Sequence, residues 1–523
     1  MPDDSLNTFS AQLAPLDWAV IAAYGVGMLV IGWWYSRGNR SGDDYLVGGR
    51  KMNPIAVGLS FFVALFSTVT YLAVPGEIVR HGPIILSGLL AYPFILFLTG
   101  WFIIPAFMKL NVNSGYELLE TRLGVAPRML GVSLFLLMRL MWMGVIIFAT
   151  VDKVLVPLAG LSSSATPLLC VLLAVLTIIY TAMGGLKAIV TVDVIQACLL
   201  FGGVFVSMAL ITSRLGGIDG WWPDAWPDHW QPLRVFQGEG NERTMLAAFV
   251  AVLVWFVCTT GSDQMAVQRY LATRDVKAAR KMLGVSLVAG CCIQVTLGCL
   301  GLALLAYATQ NPGWVTGGEL TGAGADLLFP SFIATVLPAG LAGLIIAGLL
   351  AEAMNSLSSG MNAASAVIVT DLVGRFRGLK FTTLQELRWL RWVSVGVGVI
   401  VVVLSVGVSY VQGNLLELSY KVVNLLTAPL FSLFFLAIFI RWATSFGSLI
   451  GALAGVVITV TVNYWRELTS AMNHLFGTSL ATEPVISFLW ATPLSFVGAA
   501  LVGSLASLLP IGPAARPSVS ASA

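Results

Sequence analysis

Between Ala351 and Ala363 the chain reads Ala-Glu-Ala-Met-Asn-Ser-Leu-Ser-Ser-Gly-Met-Asn-Ala, inside an apolar run long enough to cross a bilayer. Polar side chains are costly in hydrocarbon, so they face a bundle interior or a water-filled path. Glu352, Asn355, Ser356 and Ser359 recur at three- and four-residue steps and share one helix face. Ser358 widens that face. An oxygen-rich stripe at membrane depth suits a bare, hard cation. Serines alone can also serve as hydrogen-bonding glue between helices, but six polar residues within positions 352–362 favour an ion site.

Two other apolar stretches are interrupted. One reads Phe66-Ser-Thr-Val-Thr-Tyr-Leu72 and ends near Pro75; the other reads Cys258-Thr-Thr-Gly-Ser-Asp-Gln264. Gly261 weakens a helix, and Ser and Thr can satisfy backbone groups freed by unwinding. Carriers bind solute and coupling ion at the midplane with such discontinuous helices, placed equivalently in two repeats. Asp193 lies about two turns inside a further apolar stretch, where an acid needs a cation, a proton or an interfacial capping role. Arg139, in Leu-Leu-Met-Arg-Leu-Met-Trp, is a lone cation within another. Its fork suits a carboxylate solute, or else it snorkels or pairs with a buried acid.

The elements that position these residues follow from composition. Of 523 residues, 58% are hydrophobic and 10% charged, against about a quarter charged in soluble domains. The fold class is therefore all-α and polytopic; barrel strands would alternate polar and apolar positions, and these runs do not. Stretches of about 20 apolar residues fall near 15–36, 54–75, 83–108, 128–158, 165–183, 187–213, 243–264, 282–308, 331–371, 389–410, 419–440, 445–463 and 485–508, thirteen spans in all. The 331–371 stretch is too long for one straight crossing and calls for a bend or an intracellular extension. Twenty Lys and Arg fall in one set of connections and five in the other, with Arg139, Lys153 and Lys421 inside spans. That bias places the N-terminus outside and the C-terminus inside, as thirteen crossings require. The polar, acidic start lacks the basic region of a secretory signal.

The six cysteines lie in apolar segments and read as small hydrophobes. The three histidines fall near loops, which argues against a buried histidine relay. Trp221, Trp222, Trp226 and Trp230 mark an outer connection as interfacial, with sugar stacking as an alternative. The tail 510–523 is Pro/Ala/Ser-rich and is expected to be disordered.

Three stretches carry a resemblance to the sodium/solute symporter family: Gly184-Gly-Leu-Lys-Ala-Ile-Val-Thr-Val-Asp-Val-Ile-Gln196, Asp263-Gln-Met-Ala-Val-Gln-Arg-Tyr-Leu271, and Ala351 to Asp371. The resemblance runs from about 15 to 463. It implies a single transmembrane domain: a peripheral helix 15–36, two inverted five-helix repeats at 54–213 and 243–440, and peripheral helices over 445–508. It implies sodium-coupled symport by alternating access, in the sialic acid, monocarboxylate and glucose branches among others. For a first sodium it implies carbonyls of Val63, Phe66 and Glu352 with side chains of Asn355 and Ser356. The family usually has a serine where Asn355 stands and a small residue where Glu352 stands, although an amide oxygen can still ligate. For a second sodium it implies Asp193, Ser358 and Ser359, and hence two sodium ions per cycle.

Ser67, Thr68 and Thr70 at the first break, Phe256 and Thr259 on the facing stretch, and Arg139, the lone cation within a span, are the expected solute contacts. Arg139 leans the reading towards an organic anion, a carboxylate or sialic acid-like solute. A sodium-coupled sugar or other neutral-solute carrier is the alternative, although Leu65 and Thr70 stand where the glucose branch has Asn and Gln. An enzyme is disfavoured, since no paired acids or histidines form a catalytic set. Sodium is the expected co-transported ion and the bilayer the expected partner; nothing points to nucleic acid or an obligate protein partner.

Overall fold

In the computed structural model the chain is helical, with no strand among the described residues, which are 13–109, 114–223, 225–236, 243–311, 314, 324–375, 382–408, 415–479, 481–482 and 486–511. The terminal tail from 512 lies outside them, as do the side chains of Lys153 and Lys421. Among the described residues, ten helices are long and apolar enough to cross a bilayer, or eleven if one bent pair counts as a single span. The thirteen expected segments are recovered when Ser163–Arg214 is divided at its kink and Leu415–Phe439 is included.

The main elements are α1 (Pro15–Ser36), α2 (Pro54–Leu65), α3 (Thr68–His81), α4 (Val125–Thr150), α5 (Thr166–Arg214), α6 (Met245–Ser262), α7 (Gln264–Leu271), α8 (Val276–Gln310), α9 (Leu341–Val367), α10 (Thr383–Val408) and α11 (Leu415–Phe439). α9 is the central one: every residue from Ile345 to Val367 is buried. It packs against α1, α4, α5 and α10, which explains how it carries so many polar groups without meeting lipid.

Local chemistry sets the breaks. α2 begins with Pro54 and with Asn53 accepting a hydrogen bond from the Ile55 amide at 2.9 Å. It stops at Phe66, which turns extended (φ −84°, ψ 156°). Ser67 is extended too, and its hydroxyl caps α3 by accepting from the Thr70 amide at 3.1 Å. The two halves meet at a 66° bend. The second half runs through Pro75 to His81, past the boundary expected at 75. In α5 the kink falls at Gly185, whose φ of 61° and ψ of −162° suit glycine alone. An added Cβ there would also sit 2.7 Å from the Tyr45 carbonyl.

Four expectations need correction. The stretch 331–371 is not one bent span but two helices, Gly324–Thr335 and α9, separated near Pro338 and Gly340. The carboxylate of Asp17 on α1 caps α9 there, accepting from the Gly340 and Gly343 amides at 2.7 Å each, an acid at a helix N-terminus. The helix of the 243–264 stretch passes through Gly261 and breaks at Asp263 (φ −78°, ψ 124°). Gly261 instead makes room for the Phe431 ring. Trp465–Phe476, read as a connection, is an amphipathic helix. Trp221 and Trp230 are buried: their indole N–H groups donate to Thr212 Oγ1 at 3.1 Å and to the Val79 carbonyl at 2.9 Å. They anchor the connection between α5 and α6 and are not available to stack on a sugar.

Candidate functional site

The two helix breaks face one cavity of about 300 Å³. Ser67 and Thr70 line it from the α2–α3 break, and Phe256, Thr259, Ser262 and Asp263 from the α6–α7 break. Arg139 and Trp142 line it from α4, and Tyr92 and Trp255 add aromatic wall. Five of the six expected solute contacts therefore lie around one space. Thr68 does not. It is buried, and its hydroxyl donates to the Leu349 carbonyl at 2.9 Å, pinning the start of α3 to α9.

Arg139 is not a free cation. Its guanidinium donates to the Asp263 carboxylate, and both side chains are buried. Of the readings open to this residue, pairing with a buried acid is the one observed. Asp263 also caps α7, its Oδ1 accepting from the Met265 amide at 2.9 Å. The acid at the helix break thus holds a cation from α4 at the cavity wall. Carbonyls freed by the break find partners: Tyr116 Oη donates to Ser262 O at 3.0 Å and Tyr270 Oη to Thr260 O at 2.9 Å.

On the α9 side, Glu352, Asn355, Ser356, Ser358 and Ser359 are all buried, as are Val63 and Phe66 at the end of α2. Ser359 Oγ donates to Asn355 Oδ1 at 3.0 Å, and Ser358 Oγ to the Asn355 carbonyl at 3.1 Å. The Thr68–Leu349 bond brings the end of α2 alongside this stretch. The arrangement is compatible with a cation held between α2 carbonyls and α9 oxygens.

The second expected cation set contains a residue that sequence reasoning missed. Asp193 Oδ2 accepts from Ser60 Oγ at 2.5 Å and from Arg269 at 3.4 Å. The same Arg269 nitrogen donates to Ser359 Oγ at 2.9 Å, and its Nε to Ser60 Oγ at 3.1 Å. A guanidinium therefore lies between Asp193 and Ser359, two of the three proposed ligands. By sequence Arg269 reads as one of the twenty cations in the connections; in the fold it is 1% exposed on α7. The signal was its position six residues beyond Asp263, on the short helix the break creates.

Two broken helices around one cavity, with a buried polar helix beside them, are the arrangement of a membrane carrier. The match of a sodium:solute symporter family model to residues 45–455 places the chain in that family; it is a transporter rather than an enzyme, and sodium is its coupling ion. The sodium/sialic acid symporter SiaT of Proteus mirabilis is 28% identical over 88% of this chain and 92% of its own. The human sodium-coupled monocarboxylate transporter 1 is 29% identical over 86% of this chain and 74% of its own. A solved substrate-bound, outward-open Na+-coupled sialic acid symporter superposes with a TM-score of 0.83 at 26% identity, covering 96% of this chain and 99% of that one. A nucleobase-cation-symport-1 family transporter shares the fold at a TM-score of 0.54 and 14% identity, over 90% of this chain and 94% of its own.

Proposed function

We propose that this carrier moves a small organic anion together with sodium, by alternating access around the cavity between the two helix breaks. The observation that carries the anion reading is Arg139, a buried guanidinium on the cavity wall. It forms an ion pair with Asp263, yet its Nε has no hydrogen-bond partner among the described residues. A planar fork with an unused donor suits a carboxylate. Ser67, Thr70 and Thr259 offer hydroxyls to the rest of the solute. The aromatic wall of Phe66, Tyr92, Trp142, Trp255 and Phe256 favours a carboxylate with an apolar body. The curated names of the relatives, a sialic acid symporter and a monocarboxylate transporter, support the same class.

The first sodium is assigned to Val63, Phe66 and Glu352 carbonyls with Asn355 and Ser356 side chains, and a second to Asp193, Ser358 and Ser359. The cycle then requires Arg269 to yield its place to the second ion. The two inverted repeats, 54–213 and 243–440, each contribute one broken helix. The protein is assigned to the plasma membrane, or the inner membrane of a bacterium, with the N-terminus outside and the C-terminus inside. Excluding the buried Arg128 and Arg269 from the loop cations leaves that bias strong. Uptake of carboxylates into proteoliposomes should depend on an inward sodium gradient and disappear when potassium replaces sodium. Equal uptake in potassium refutes sodium coupling; uptake of sugars but no carboxylate refutes the anion reading.

A further inference from the structure

The cavity does not end at the helix breaks. It follows α6 from Ser262 and Thr259 back to Val252 and Ala248, and at 1.5 Å per residue Ala248 lies about 16 Å along the helix from Thr259. The lining changes character over that length. Ser67, Thr70 and Thr259 hydroxyls and the Arg139 guanidinium gather at the breaks. The far end is walled by Leu86, Leu89, Ala248, Val252, Phe488 and Leu489. Gln294 on α8 adds an amide to the lining, and Thr492 a hydroxyl.

Phe488 and Leu489 come from outside the two repeats. Ser487, extended (φ −59°, ψ 142°), turns the chain into a short helix, Phe488–Trp490, which leads into the last described helix, Ala491–Ala506. That helix packs on α6 and α11. The Phe488 ring is held there by a cation: the Arg243 guanidinium stands over it at 5.9 Å. Arg243 in turn pairs with Glu77, donating to its Oε2 at 3.3 Å, and both side chains are mostly buried. Glu77 lies three residues beyond Val74, which lines the cavity from α3, and Arg243 stands just before α6. The ring is thereby fixed against the ends of both helices that flank the cavity.

A solute whose carboxylate reaches Arg139 can lay its body along α6 into this apolar end. A hydrocarbon body gains from leaving water there. A polyhydroxylated body would strand its hydroxyls against aliphatic and aromatic walls.

We infer that the solute is an amphiphilic monocarboxylate, and that Phe488 and Leu489 are specificity residues that grip the far end of its apolar body. The sequence places their helix at the periphery of the fold; the cavity brings its first turn into the solute path. The inference rests on the anion reading of the same cavity and adds the length and polarity of the solute.

The experiment is equilibrium dialysis of radioactive acetate, butyrate, hexanoate and octanoate against purified protein in lipid nanodiscs at saturating sodium, with empty nanodiscs subtracted. Wild-type affinity should rise about fourfold for each added methylene, which is the roughly 0.8 kcal/mol of a buried CH₂ converted at about 1.4 kcal/mol per tenfold. Phe488→Ala should lower the ratio of octanoate to acetate affinity by about tenfold, the worth of roughly two buried methylenes. If Phe488→Ala does not fold, Leu89→Ala strips the facing wall and is read by the same ratio. An unchanged ratio in the variants overturns the inference. So does an equal loss for acetate and octanoate, which marks Phe488 as structural. Gluconate bound by the wild type as tightly as octanoate overturns it as well. Carboxylates that bind with no dependence on length refute this inference alone; a wild type that binds no carboxylate of any length refutes the anion reading with it.

Discussion

Asp263→Asn separates the two duties of the cavity acid. Asparagine keeps an oxygen to accept from the Met265 amide, so the α7 cap at 2.9 Å persists. What disappears is the charge beside Arg139. In the wild type, a carboxylate reaching the guanidinium would lie roughly 6 Å from the Asp263 carboxylate. At an effective dielectric near 20, like charges at that separation repel by about 2–3 kcal/mol. With tenfold in affinity for each 1.4 kcal/mol, the variant should bind carboxylates about 30–100-fold more tightly. Without ligand it should be less stable by about 3–5 kcal/mol, because Arg139 stays buried without a counter-charge. A carboxylate should restore that loss. Thermal melts of purified protein at saturating sodium, titrated with carboxylates and with neutral sugars, read both effects. An unchanged carboxylate affinity shows that the anion does not approach Arg139. Equal tightening for sugars shows that the change is one of packing and not of charge.

Ser356→Ala removes a candidate oxygen from the first sodium site and should raise the sodium concentration for half-maximal transport with little effect on expression; unaltered sodium dependence in a well-expressed variant removes Ser356 from the site. Asp193→Asn leaves the Arg269 guanidinium without its counter-charge and should destabilise by about 3–5 kcal/mol, while the double variant Asp193→Asn/Arg269→Gln should recover most of that in melts. Strict additivity of the two single changes would show that the pair is not coupled. Gly185→Ala forces a side chain into a left-handed kink and against the Tyr45 carbonyl, so its melting temperature should fall by an amount equivalent to at least 1–2 kcal/mol. A stable Gly185→Ala protein would show that the kink relaxes.

Local chemistry made much of this molecule legible from sequence. Apolar runs gave the helices, because a bilayer admits few alternatives. The polar face of α9 followed from periodicity, because burying Glu352, Asn355, Ser356 and Ser359 on one helix is a local pattern. The α2–α3 break was visible because Ser67 is a helix-capping residue at the right place. What escaped was non-local. Arg139 and Asp263 are 124 positions apart, and only the packing of α4 against the α6–α7 break makes them a pair. Asp17 caps a helix 323 residues away. Gly261 looked like a breaker, but its lack of a side chain serves the Phe431 ring, and the break moved to Asp263, which can cap the next helix.

Arg269 shows why charge counting alone misleads near a membrane surface. A cation just beyond a helix break reads as a loop residue. The break redirects the chain inward, so α7 carries Arg269 into the core, where Asp193 offsets its burial. The consequence reaches the mechanism. With a guanidinium between Asp193 and Ser359, a sodium ion at that set must compete with a tethered cation already in contact. An ion whose binding displaces Arg269 would break three polar ties of α7 at once, to α2, α5 and α9, since this one side chain reaches Ser60, Asp193 and Ser359. Because Asp263, the acid paired with Arg139 at the cavity wall, caps α7, the proposed second ion set and the proposed solute cavity are linked through a helix of eight residues. A short rigid link of that kind is what coupling requires: a common element whose position both ligands bias.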